Sequence, residues 1–364
     1  MIIPDTIPKF VAVETITINA FITELPVALS KLNTLRLLDL SGCYNLLSIP
    51  EEVQKMRNLK IKFIDIISRA SEVVFIAGPP VDILASVICS TKVRKITQLI
   101  IRQMPPQRES GMYRPLEGFE LPDRIEELKE LKMLSVEGNL SSVQPWIGNL
   151  SNLTVLYLNG CSDLESLPES IGNLSKLTSL DLHHCFNLHS LPDSISNLSA
   201  LTSLDLTYCP YLRSLRESIG NLHKLTSLKL SFCTNLQSLP KSIGNLYELT
   251  LIGLHRCKEL LSLPTSIGNL SNLTSLDLSE CPNLLSLPDS IGNLTNLTSL
   301  NLRYCRSIHS LPGSIGNLTK LSLLDLYRCN NLDYLPRSTG NLGSLTRPLY
   351  ISGFFEIPLD IDWI

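Results

Sequence analysis

The 364 residues are 44% apolar and 18% charged, with a net charge of −3 at neutral pH. That balance supports a packed core and excludes the general cationic pull toward nucleic acid or an anionic membrane. The run VVFIAG at 73–78 is far short of the ~20 apolar residues of a bilayer span, and the N-terminus lacks the basic-then-apolar pattern of a signal peptide, so the expected setting is soluble and cytoplasmic.

In chain order, the first predicted element is the period-two run TITI in VETITINAFITELPVALSKLNTL (13–35), a short strand followed by a turn at proline. The segment LRLLDLSGCYNLLSIPEEVQKMRNL (35–59) repeats that plan with Cys43 after its strand. Residues 59–118 are less regular. Within them, 80–103 reads as a longer unit with a true helix on its outer side and a strand near 96–101, and 104–118, rich in turn formers, reads as a loop. ELKMLSVEGNLSSVQPWIGNL (130–150) is another version of the plan, with Asn139 in the cysteine slot. The domains expected are irregular repeats over 1–146, regular repeats over 147–345 and a C-terminal cap over 346–364, where Phe354, Phe355 and Trp363 would cover the last layer.

The regular part repeats LxxLxLxxCxxLxxLPxSIGNLxx every 24 residues, marked by Cys161, Cys185, Cys209, Cys233, Cys257, Cys281, Cys305 and Cys329. The unit is numbered here from its first leucine, so Leu177 is position one and Cys185 position nine. Alternation over positions four to six predicts a short strand with inward leucines. Proline (Pro240, Pro264) fixes φ and removes a donor, which suits the opposite side of the unit. The serine before Ile-Gly-Asn is expected to cap one helical turn, and Gly244 and Asn245 to permit the tight return. One unit cannot bury its own leucines, so the units must stack and pair their strands.

These residues resemble the leucine-rich repeat family, strongly over 147–345. The wording LxxLPxSIGNLxxLTSLDLSxC is most similar to plant intracellular members, including the repeat regions of TIR/nucleotide-binding disease-resistance receptors. The resemblance implies an α/β solenoid: a horseshoe with a parallel β-sheet on its concave side and short turns or helical turns on its convex side. It also implies a non-catalytic protein-recognition scaffold, with an immune or signalling role. The chain has no GxxxxGK[ST] nucleotide loop, so the alternative is the ligand-sensing fragment of a larger receptor.

No catalytic, metal or cofactor site is expected. The cysteines would stack in separate layers as reduced structural thiols, and no CxxC pairing suggests zinc. HHC (183–185) and HRC (255–257) place His beside Cys, but neighbours along a strand point apart, which argues against a Cys–His nucleophile. The Asp residues of position five (Asp181, Asp205, Asp277, Asp325) read as a solvated acidic face. The sequons in GNLS and GNLT follow from the repeat itself.

Variation between repeats gathers at positions seven and eight. Position seven runs Asn159, His183, Thr207, Ser231, His255, Ser279, Arg303, Tyr327, and position eight Gly160, His184, Tyr208, Phe232, Arg256, Glu280, Tyr304, Arg328. Tyr, Arg and His recur there, and aromatic residues and Arg dominate interface hot spots. The expected partner is a protein or peptide on the concave face, held by His183, His184, Tyr208, Phe232, His255, Arg256, Arg303, Tyr304, Tyr327 and Arg328. Neither nucleic acid nor membrane is expected as a partner.

Overall fold

The computed structural model describes residues 13–18, 25–40, 50–56, 59–62, 73–77, 97–102, 118–346 and 350–351. The chain divides into two compact units, Met1–Asp163 and Leu164–Ile364. The boundary at 146/147 read from the sequence marks where the 24-residue period begins, which is a separate property from compactness.

In the first unit, β1 (Thr15–Thr17), β2 (Leu37–Asp39) and β3 (Lys60–Lys62) pair in parallel, with Thr15 opposite Leu37 and Leu37 opposite Lys60. Leu25, Leu29, Leu35, Leu38 and Val53 fill the core beneath them. Then come β4 (Val73–Ala77), β5 (Gln98–Arg102), β6 (Phe119–Glu120), β7 (Met133–Glu137), β8 (Leu140–Ser142) and β9 (Val155–Asn159). β4, β5, β7 and β9 pair in parallel in that order, and β6 pairs with β8. β5 is the strand expected near 96–101. The expected outer helix within 80–103, the loop at 104–118, the Cys43 slot and the aromatic cap of Phe354, Phe355 and Trp363 fall almost wholly outside the described residues.

The second unit is a solenoid of β10 (Ser179–Asp181), β11 (Ser203–Asp205), β12 (Ser227–Lys229), β13 (Leu251–Gly253), β14 (Ser275–Asp277), β15 (Ser299–Asn301), β16 (Leu323–Leu326) and β17 (Tyr350–Ile351). Each strand pairs in parallel with the next; Leu204 stands opposite Leu228, for example, and Leu276 opposite Leu300. Each layer buries one set of side chains, completely in the interior of the stack: Leu225, Leu228, Leu230, Cys233, Leu236, Ile243 and Leu246 are all 0% exposed.

Two side-chain ladders lock layer to layer. From Cys209 to Cys329 the cysteine thiol donates to a strand carbonyl of the preceding layer: Cys209 Sγ to Leu182 O at 3.3 Å, Cys233 to Leu206 O at 3.1 Å, Cys305 to Leu278 O at 3.0 Å. The eight cysteines described are free and buried. Asn139 fills the slot differently, accepting the Asp163 N–H and donating to its carboxylate. The second ladder is the threonine at position two. Thr226 Oγ1 donates to Thr202 O, Thr250 to Thr226 O and Thr274 to Thr250 O, each at 3.0 Å.

The opposite side of each layer is a five-residue 3₁₀ turn such as Lys241–Asn245, entered from Pro240 at φ −67° and ψ 156°. Here two expectations are corrected. The serine does not cap the turn: proline holds that place, and the serine lies two residues further in. The hydroxyls of Ser194, Ser242, Ser266, Ser290 and Ser314 are buried without a hydrogen-bond partner. The capping acceptor is supplied by the neighbouring layer instead, as where Glu217 accepts the N–H groups of Lys241 and Ser242 at 3.1 and 2.8 Å. Nor does Gly244 sit at a φ that demands glycine. It is needed because a Cβ there would lie 2.7 Å from the Cβ of Ser266 in the next layer.

Candidate functional site

Position five ends the strands β10 to β15. Asp181, Asp205, Asp277, Asn301 and Asp325 each accept, through Oδ1, the N–H two residues on, at 2.9–3.1 Å. This local bond turns the chain out of the sheet. The column expected to be a solvated acidic face is therefore a row of turn formers. Where lysine takes the place, Lys229 Nζ reaches Asp205 of the preceding layer at 3.0 Å.

Position eight follows in the left-handed conformation: φ is 61° at His184, 61° at Tyr208, 63° at Phe232, 60° at Arg256, 56° at Glu280, 61° at Tyr304 and 59° at Arg328. For a non-glycine residue this conformation costs about 1–2 kcal/mol. An interlayer hydrogen bond offsets it, since the N–H of position eight donates to the carbonyl of position seven in the next layer. The distances are 2.9 Å from His184 to Thr207, 2.8 Å from Tyr208 to Ser231 and 2.7 Å from Phe232 to His255. From β10 on, positions seven and eight thus belong to a turn at the strand end, not to the strand. The sequence signal for this was Gly160, which occupies the slot at φ 70°.

Because the same φ recurs in each layer, side chains leave in parallel and stack. The His184 and Tyr208 rings lie 4.4 Å apart at 13°, and Tyr208 and Phe232 3.9 Å apart at 11°. His183 meets His184 edge-on at 5.2 Å, and His255 meets Phe232 edge-on at 5.0 Å. The Arg256 guanidinium stands 5.2 Å from the Phe232 centroid and pairs with Glu280 at 2.6 Å. These six expected residues form one continuous row. Arg303, Tyr304, Tyr327 and Arg328 form a second group, in which both guanidiniums lie over both rings: Arg303 at 5.2 and 4.6 Å, Arg328 at 5.6 Å from each.

Three further residues join the surface. Phe186 meets His184 edge-on at 5.7 Å, and Tyr211 stacks on His189 at 5.7 Å. Phe186 and Tyr211 are exposed. Their signal in the sequence is an aromatic at otherwise polar positions just past the cysteine, outside the two columns where variation was sought.

The chemistry available is recognition chemistry. Burial, with the neighbouring His183 charge, holds the His184 ring below the usual histidine range. His183 Nδ1 lies 2.8 Å from Asp181, and His255 Nδ1 2.8 Å from Ser279 Oγ, which itself donates to Asp277 at 2.6 Å. In that relay serine bridges histidine and aspartate. A nucleophilic triad needs the histidine in the middle. Burial pushes the Cys233 and Cys281 thiols up to about 12, opposite to the direction a reactive cysteine needs. Among the described residues no group of His, Cys, Asp or Glu could hold a metal ion, and no helix is long and apolar enough to cross a membrane.

Stacked parallel strands, leucine-filled layers and a partly exposed row of variable aromatic and charged side chains define a repeat scaffold for protein interaction, a class that is in general non-catalytic. A family model for a leucine-rich repeat region matches residues 190–307 and 228–347, and one for the single leucine-rich repeat matches 34–56, 152–174 and 176–198. The chain belongs to the leucine-rich repeat family. Among solved structures it is similar to a leucine-rich repeat protein of Leptospira interrogans, with 22% identity over 91% of this chain and 93% of that one and a TM-score of 0.41. It is also similar to the leucine-rich repeat domain of the type III effector XopL, at 28% identity over 65% and 73% and a TM-score of 0.46. The Toll–Spatzle complex of Drosophila matches at 20% identity over 97% of this chain and 49% of that one, with a TM-score of 0.57, which is a likeness of fold. This chain spans about half the length of that one. No curated protein sequence matches the chain.

Proposed function

We propose that this protein is a non-catalytic recognition module that docks a protein or peptide across the rows of positions seven and eight. The observation that carries the reading is the stack of His184, Tyr208 and Phe232. Three consecutive layers present large rings where the scaffold itself requires only a turn, and half-buried aromatics beside Arg are the usual make-up of an interface hot spot. The resemblance of the repeat wording to plant disease-resistance repeat regions supports a cytoplasmic role in immune or signalling recognition, either as a stand-alone chain or as the sensing part of a larger receptor. That the similar Toll chain is seen in complex with Spatzle fits a scaffold whose partner is a protein.

The test is a pull-down from source-cell lysate with identification of bound proteins, followed by titration of the partner. Changing Tyr208 and Phe232 together to Ala should weaken binding by about 2–4 kcal/mol. Changing Lys241 and Asp289 to Ala, on the 3₁₀ turns of the opposite side, should leave it intact. The reverse result places the partner on the turn side and refutes the proposal.

A further inference from the structure

The two ends of the row differ in charge in a way the recognition reading does not use. Around Tyr208 and Phe232 the neighbours are titratable histidines and the half-buried carboxylates of Asp181 and Asp205. In the middle, Arg256 and Glu280 neutralise each other at 2.6 Å. Beyond them stand Arg303 and Arg328, both exposed. Neither forms an ion pair with a carboxylate among the described residues. The acidic column supplies them one carboxylate: Asp325 accepts the Tyr327 N–H at 2.9 Å and keeps its charge near Arg303, and its counterpart one layer earlier is the neutral Asn301. Both guanidiniums are instead held over the rings of Tyr304 and Tyr327. An Arg restrained in this way loses little freedom when it binds, and its planar fork matches a carboxylate.

We infer that the partner presents an extended acidic peptide segment, with an Asp or Glu held between Arg303 and Arg328 and a large apolar or aromatic residue on the Tyr208–Phe232 stack. The inference rests on the recognition reading and adds the chemistry and the direction of the ligand. From the Phe232 layer to the Tyr304 layer is ~14 Å at ~4.8 Å per layer, and from Tyr208 to Arg328 ~24 Å. At ~3.3 Å per residue an extended chain covers those spans in roughly four to seven residues. The polarity of the site is fixed by charge. An acidic residue at the aromatic end would face Asp181 and Asp205, of which only Asp205 is paired with a lysine, Lys229, whereas at the other end the two arginines outnumber the one carboxylate beside them, Asp325.

Selection of phage-displayed random twelve-residue peptides against the full chain tests this. Peptides won by the unmodified protein should carry Asp or Glu four to seven residues from Phe, Tyr, Trp or Leu. A synthetic copy of the leading peptide should bind R303E/R328E at least tenfold more weakly. Replacing its acidic residue by Lys should restore binding to that variant. Melting curves check that the variants fold, and R303K/R328K, which keeps the charge but loses the planar fork, should give a smaller loss if the reversal variant does not fold. Selected peptides without acidic enrichment overturn the inference. So does a peptide that needs Tyr208 and Phe232 yet binds R303E/R328E and R303K/R328K at full strength, which leaves the recognition reading standing. A peptide indifferent to Y208A/F232A overturns the recognition reading itself, and failure to select any peptide counts against both.

Discussion

Replacing Gly244 by Ala should test whether close approach, and not backbone freedom, explains the repeated glycine. The added methyl would lie 2.7 Å from Ser266 Cβ and closer still to Ser266 O in the next layer. A carbonyl oxygen and a Cβ are both fixed by the backbone, so a side-chain rotation cannot relieve the obstruction. Overpacking of this kind costs about 1–3 kcal/mol, while restricting the unfolded chain returns about 0.4–1 kcal/mol. Gly313, first residue of the turn Gly313–Asn317, has described layers on both sides, yet nothing lies within 4 Å of a Cβ placed there. Its φ is also outside the left-handed range. Gly313→Ala should therefore be neutral or stabilising by about 0.4–1 kcal/mol, and the difference between the two variants isolates the clash. Urea melts followed by circular dichroism, with hydrogen exchange to locate the loosened layer, measure it. Within the regular repeats, Ser196 stands in the glycine slot. There the following layer enters its turn from Arg216 instead of proline, and Ser218 reaches Asp193 at 3.4 Å. If Gly244→Ala and Gly313→Ala melt alike, layer contact is not what the glycine at 244 serves.

The thiol ladder predicts that the eight described cysteines resist alkylation in the native protein and react fully in denaturant without added reductant. Recovery of thiols only after reduction would show disulfides and refute the ladder. The His184 ring should titrate below the ordinary value of ~6.5, because burial, to which the stacked Tyr208 ring contributes, and the neighbouring His183 charge disfavour its charged form. A folded pKa below the unfolded one means that this contribution to stability is present above the unfolded value and is lost as pH falls through the folded one. In the Y208A variant the midpoint, followed by NMR of the ring protons, should move back up; an unchanged midpoint would show that the stack is not its cause.

The sequence by itself determined the layers. A leucine pattern that recurs every 24 residues can bury its apolar side chains only by stacking, which dictates parallel strands, a continuous core and variable residues gathered at one place on each layer. Positions seven and eight could thus be picked out from the letters alone, and the proximity of Tyr208 to Phe232 followed from one step of the period. What the tertiary structure decided are the roles that depend on the layer above or below. Asp181 and its counterparts look like surface acids in the sequence, yet they fold back on the N–H two residues ahead. Gly244 looks like a turn residue, yet Ser266, 22 positions on, is what forbids a side chain there. The left-handed φ of Phe232 is unfavourable for an isolated chain and becomes stable only when its N–H meets the carbonyl of His255 in the next layer. The common physical reason is that a repeat's local propensities are overridden by hydrogen bonds and steric contacts from neighbours about one period away, which no reading of a single unit contains.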